Sequence, residues 1–267
     1  MGELQDRFSR RVIERAINNG ALRRLRRGWW AIRDADSDVV TAVSSGGVLS
    51  CASALRKYGV WVMPTDRVHI RGNSATSRTH RTWCRQHGRQ PAADHAIDDL
   101  ETALLHAARC LSTEEFVVVV DSVLNRGIMT ESQVTALFIG LPRQVHRHLE
   151  LCDGRAESGT ETAVRLRLTA QNRTITPQWR IPEVGRVDML IGHSLVIEVD
   201  GYAYHADPSA YENDRLRDLQ AKEIGYEVIR LSYRQVIHGW HVVGPLLANI
   251  MARGDHLRRL PVRATDT

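Results

Sequence analysis

The sequence predicts a modular α+β protein, and three observations carry that expectation. Val187–Ile191 and Leu195–Val199 are short β-branched runs separated by Gly192-His193-Ser194, which reads as a hairpin. A helical stretch and a further apolar run follow it, giving a β-α-β crossover and hence a parallel pair in a mixed sheet. Ahead of the hairpin lies a run of capped, amphipathic helical segments, and ahead of that an arginine-rich helix and β-turn. The parts divide as 1–95, 96–152, 153–254 and a tail at 255–267, since 267 residues suit two or three cores better than one.

Composition narrows the function classes. Hydrophobic residues at 43% and charged residues at 25% are those of a soluble globular chain. No apolar run approaches the roughly 18 residues needed to span a bilayer. The opening MGELQDRFSRR is charged and lacks an apolar core, so no signal peptide is expected and the predicted location is cytoplasmic. Cys51, Cys84, Cys110 and Cys152 are far apart and without CxxC spacing, which predicts reduced thiols rather than a zinc site or a disulfide framework.

The net charge of +5 is modest, but almost every basic residue is arginine, with lysine only at Lys57 and Lys222. Arginine forks suit phosphate and guanine contacts. A GC-rich coding sequence would give the same bias, so where the charge lies matters more than how much there is.

Taken in order, Phe8–Asn19 has a helical pattern with Phe8, Val12 and either Ala16 or Ile17 on one face, Ser9 as cap and Asn19-Gly20 as stop. Arg7, Arg10, Arg11 and Arg15 cover the remaining surface. Leu22–Ile32 reads as a strand pair turning near Arg27-Gly28, with Arg23, Arg24, Arg26 and Arg27 along it. A basic helix followed by a basic β-turn is how a winged helix presents itself, so these arginines are the candidate nucleic-acid contacts. Asp38–Tyr58 is expected as two helical pieces broken at Ser44–Gly47, with Val60–Met63 and Arg67–Ile70 as short strands. The basic run Arg71–Arg89 around Trp83 reads equally as more nucleic-acid surface or as an ordinary exposed strand and loop.

Ile97–Cys110 is amphipathic, Ser112–Glu115 is a capping box opening a helix to Asn125, and further helices are expected from Thr130 and Pro142. His146 and His148 are two apart, which on a helix points them to different sides. After Asp153-Gly154 comes a helix over Ser158–Ala170, then a strand at Pro177–Ile181, the hairpin, a helix at Pro208–Ile224 and a strand at Tyr226–Leu231.

A three-residue turn places Asp188 opposite Glu198, and Asp200 lies two residues farther along the same face. Three acids on one patch repel. A hard divalent cation, Mg²⁺ or Mn²⁺, is the simplest group that would join them; the other reading is a solvated strand face. Glu161 either completes the Ser158-x-x-Glu161 capping box or points at the acids. Asp214, Arg217 and Asp218 share a helical face, where Arg217 serves as a phosphate clamp or forms a plain surface ion pair.

The ordered motifs ESGTET, RVDML, VIEVDGYAYH and NDRLRDLQAKEIGYEVIRLS, over about 157–232, resemble the restriction-endonuclease-like PD-(D/E)XK nucleases. More closely, they look like the uncharacterised family related to very-short-patch mismatch-repair endonucleases. RRLRRGWWAI and VLSCASALRKYGVW resemble the winged helix of AbiEi-type antitoxins. The first resemblance implies Mg²⁺ dependence, a DNA substrate, Asp188 as central metal ligand and Glu198 as the acid of the (D/E)XK motif. Asp200 stands where that family carries lysine, and His205 matches a histidine of the repair endonucleases that acts as base or leaving-group acid. A surface role for His205 stays open. The expected function is metal-dependent hydrolysis of DNA phosphodiesters, with Glu161, Asp188, Glu198, Asp200, His205 and Arg217 as the site. The alternative is an inactive DNA-binding regulator of the antitoxin type, and RNA stays open as a substrate.

Overall fold

The hairpin forms in the register its turn length dictates. In the computed structural model Met189, Leu190 and Ile191 pair antiparallel with Ile197, Val196 and Leu195 around Gly192-His193-Ser194. Gly192 takes φ 61°, and a Cβ there would lie 2.5 Å from the carbonyl oxygen of His256. Only glycine satisfies both demands. The structure describes residues 6–72, 80, 82–84, 93–171, 173–201 and 208–260. The protein is mixed α+β, and its chain divides into two compact units: 1–119 with 132–148, and 120–131 with 149–267. The expected boundaries at 95 and 152 do not coincide with these.

In the first unit, α1 (Arg10–Asn18) precedes the hairpin β1 (Leu22–Arg26) and β2 (Trp29–Ile32). The buried face of α1 is not the expected one. Ile13 is buried, whereas Phe8 and Val12 are 51% and 53% exposed. Ser9 caps through its backbone carbonyl, which accepts from Val12 and Ile13, and not through its hydroxyl. Then come α2 (Ser37–Ser44), β3 (Val48–Leu49), α3 (Cys51–Lys57) and β4 (Ile70–Arg71), with β3 antiparallel to β4. Residues 60–63 form no strand, and only Ile70 of the second expected strand pairs. Gly47 is needed because a Cβ would collide with the Ile70 side chain. Ala42, Leu49, Ile70 and Trp83 form a small core here.

The helices follow: α4 (Leu100–Cys110), α5 (Thr113–Asn125), α6 (Glu131–Leu137) and α7 (Arg143–Leu149). The capping box at the start of α5 is complete, Glu115 N–H to Ser112 Oγ and Ser112 N–H to Glu115 Oε2. Among the described residues no helix is long and apolar enough to cross a membrane.

The second unit is a four-stranded sheet with the expected α-β-β-β-α-β order: α8 (Gly159–Thr169), β5 (Ile175–Ile181), β6 (Gly185–Ile191), β7 (Leu195–Asp200), α9 (Pro208–Glu223) and β8 (Glu227–Ser232). β5, β6 and β7 are antiparallel neighbours, and β8 returns parallel to β7, as a crossover through α9 requires. One face of the sheet buries Met189, Ile191, Leu195, Ile197 and Leu231 against Ala163, Val164 and Leu168 of α8. Two helices that the sequence pattern did not announce, α10 (Tyr233–Ile237) and α11 (Trp240–Ala252), complete that layer through Val236, Leu247 and Met251. The other face packs Leu190, Val196 and Val228 with Ala221 of α9. Residues 255–257, expected to belong to a tail, form a short 3-10 turn instead. The His256 carbonyl accepts from His193 and Ser194 N–H at 2.8 and 3.2 Å, which fixes the hairpin tip.

Candidate functional site

Three strands converge on Asp188. Continuing the β6–β7 register by one residue sets it opposite Glu198, and on the other side Gln178 falls in line between the pairs Pro177–Met189 and Trp179–Val187. The ladder stops short of Asp188. Its Oδ2 instead accepts the Val199 N–H at 2.7 Å, while Glu198 Oε2 accepts the Asp188 N–H at 3.4 Å. Carboxylates thus replace carbonyls as backbone acceptors where the strands part. Gln178 takes φ 53°, a conformation that costs about 1–3 kcal/mol in a residue with a side chain. Its amide donates to Glu161 Oε2 at 2.9 Å.

Glu161 reconciles both of its readings. Ser158 Oγ accepts the Glu161 N–H as the cap of α8, but the Glu161 carboxylate reaches past the cap to the Glu157 N–H and to Gln178. It is 6% exposed and close enough to Asp188 to feel its charge. Burial, then the Asp188 charge, pushes the Glu161 carboxyl up to about 7. The same two causes push Glu198 up to about 8. Burial raises Asp188 as well, against the pull of the Val199 N–H. Near neutral pH Glu198 therefore keeps its proton, and Glu161 is close to the midpoint of its titration.

Asp200 is drawn elsewhere. Its Oδ1 lies 3.4 Å from Nη1 of Arg230, whose other arms grip Asp218 at 2.9 and 2.8 Å. Arg230 stands directly across the β7–β8 ladder from Glu198. Among the described residues Asp188, Glu198 and Asp200 are not among the groups of three or more side chains placed to hold a metal ion. The pair that meets is Asp188 and Glu198, with Glu161 beside Asp188.

Arg217 is engaged by the β5–β6 turn. Its Nε and Nη2 donate to the carbonyls of Val184 and Arg186 at 3.2 and 2.5 Å, and Nη1 lies 3.6 Å from Asp214. It ties the turn to α9 and keeps the ion pair with Asp214 that was one of its two expected roles, while Asp218 holds Arg230. His205 lies outside the described residues. α8 itself is anchored by a buried network in which Asp121 accepts from Arg165, Thr162 and the Asp153 N–H.

Sequence reasoning missed Arg230, although a signal existed. An arginine inside the otherwise apolar run EVIRLS is costly to cover unless acids pair with it, and here Asp218 and Asp200 do.

In the first unit, Arg10, Arg11, Arg15, Arg23, Arg24 and Arg27 are exposed. Arg26 is half-buried, with its guanidinium 5.0 Å from the Trp29 ring centroid. Most of the Arg71–Arg89 run lies outside the described residues; of its described members Arg71 is buried and paired with Asp98. The cysteines are not scattered as expected. Cys51, Cys84 and Cys110 meet around His69. The chain matches no protein-family model, no curated protein and no solved structure.

Proposed function

We propose that the second unit is a metal-dependent endonuclease of the restriction-endonuclease-like type that hydrolyses DNA phosphodiesters, and that the first unit is a winged-helix-like DNA-binding module. The observation carrying this reading is the half-buried Asp188–Glu198 pair, with Glu198 pushed up to about 8 and Arg230 facing it across the ladder. Two neighbouring acids that resist ionisation fit a hard cation that takes one or two carboxylates and completes its shell with water and phosphate oxygens. Such a cation would acidify a bound water and offset charge on the phosphate.

The chain's own residues supply the rest. Asp188 and Glu198 hold the cation. Arg230, locked by Asp218, brings beside them the positive charge that Asp200, at the resembled family's lysine position, does not, and so would favour charge that builds on the phosphate. Glu161, near 7, carries a proton to a leaving oxygen or takes one from water. The sequence pattern gives His205 the same capacity. Arg217 keeps the β5–β6 turn in place. On the first unit the exposed arginines of α1 and the β1–β2 hairpin would bind phosphates.

A second reading has its own observation. Asp200 pairs with Arg230 rather than with Asp188 and Glu198, which favours an inactive nuclease fold kept as a DNA-binding regulator of the antitoxin type. Incubating purified protein with supercoiled plasmid in Mg²⁺ or Mn²⁺ separates the two. Cleavage by the wild type and none by Asp188→Asn supports the endonuclease; inert wild type with intact duplex binding supports the regulator.

A further inference from the structure

Cys51, His69, Cys84 and Cys110 come from four separate segments of the first unit. Cys51 opens α3, His69 precedes β4, Cys84 sits beside Trp83 of the small core, and Cys110 ends α4. One potential ligand atom from each lies within 4.8 Å of all the others. His69 Nδ1 is 3.7 Å from Cys84 Sγ and 3.5 Å from Cys110 Sγ. Tetrahedral zinc, with bonds of about 2.3 Å to sulfur and 2.0–2.1 Å to nitrogen, sets its sulfur and nitrogen ligands roughly 3.6 Å apart. The two edges from His69 Nδ1 therefore already have the length such a tetrahedron requires.

Their surroundings fit a closed structural site. Cys51 is 0% exposed, Cys84 1% and His69 4%, with Cys110 half-buried, and four protein donors fill a tetrahedral shell. The donor set of three thiols and one imidazole is soft and suits zinc rather than the hard cations of a carboxylate site. Cys51 also adopts φ 49°, a strained conformation for a buried non-glycine that a covalent-strength tether would hold.

We propose that Cys51, His69 Nδ1, Cys84 and Cys110 bind one structural zinc ion that ties α3, β4 and α4 together in the first unit. No short CxxC pair announces it, because the fold gathers ligands from across about half the length of that unit. The site is independent of the acids of the second unit and stands whether or not those acids cleave DNA.

The test uses the full chain, expressed with zinc present and analysed by elemental mass spectrometry. About one zinc per chain is expected, unchanged in Asp188→Asn and in Cys152→Ser. Stripping the metal and titrating with Co²⁺ should give the visible bands of tetrahedral cobalt and a thiolate-to-cobalt charge-transfer band, saturating at one equivalent. His69→Cys, which keeps four donors, should still bind cobalt with stronger charge transfer; His69→Ala should bind it at least tenfold more weakly. If a variant fails to fold, the wild-type titration decides alone. Wild-type protein that lacks zinc and gives no tetrahedral cobalt spectrum overturns the proposal, and so does stoichiometric iron.

Discussion

Arg230 of β8 faces Glu198 of β7 across a parallel ladder while gripping Asp218 of α9 through two hydrogen bonds. Strand order brings this about: the crossover through α9 lays β8 beside the acid-bearing strand, and α9 supplies the carboxylate that fixes the guanidinium. If this arginine supplies the site's positive charge, Arg230→Gln should lower cleavage roughly 10²-fold, the scale of losing one positioned donor. Arg230→Lys should recover part of that loss. Single-turnover rates check it, and equal rates in Arg230→Gln and wild type would exclude Arg230 from the chemistry.

The raised acids make stability depend on pH. Glu161 and Glu198 release protons in the folded state only near about 7 and about 8, against an ordinary value of 4.5. The folded form thus retains protons that the unfolded chain has released. The stability they contribute is fully present below about pH 4.5 and is lost as pH rises through about 7 to 8. A cation that neutralises them offsets this loss. The rise in thermal midpoint on adding Mn²⁺ should be larger at about pH 8.5 than at about pH 6. Glu198→Gln should flatten both the metal effect and the alkaline decline.

The Asp121–Arg165 pair is nearly out of solvent, and burial pushes Asp121 up to about 6 despite its partner. Removing one member of a buried pair typically costs about 3–5 kcal/mol because the other charge is stranded. Arg165→Met should cost the most at neutral pH and less at about pH 5, where a stranded Asp121 takes up a proton. Urea unfolding at the two pH values measures the difference; equal losses would mean that packing, and not charge, holds α8.

On the basic hairpin, the structure separates residues that the sequence treats alike. Arg23, Arg24 and Arg27 are exposed, whereas Arg26 lies against Trp29. Replacing the first three by alanine should weaken duplex binding and reduce the log–log salt slope by roughly one unit for each phosphate no longer neutralised. Arg26→Ala should mainly lower stability, by roughly 0.5–1 kcal/mol, because the guanidinium no longer covers the ring. Fluorescence anisotropy at several salt concentrations distinguishes the two outcomes.

What the sequence made legible was local. The hairpin register followed from a three-residue turn, and the order of α8 to β8 from periodicity and caps. Asp188 and Glu198 could be paired because both lie within one hairpin. Arg230 could not be joined to them by spacing, since the crossover that brings it there is a long-range event. The same holds for Cys51, His69, Cys84 and Cys110, which share no short motif. Asp200 follows strand alternation, yet it turns to Arg230, because an opposite charge on the next strand outweighs a shared face with like charges. Phe8 and Val12 mark another limit: with a single buried residue in α1, the pattern did not reveal that Ile13 would be the one covered.

The most direct measurement is the cleavage rate of a labelled duplex as Mn²⁺ is raised, in wild type and in Glu198→Gln. The Asp188–Glu198 site predicts a saturable dependence on the metal in the wild type and a rate at least roughly 10²-fold lower in Glu198→Gln, with duplex affinity unchanged. Equal metal-dependent rates in the two proteins would contradict it.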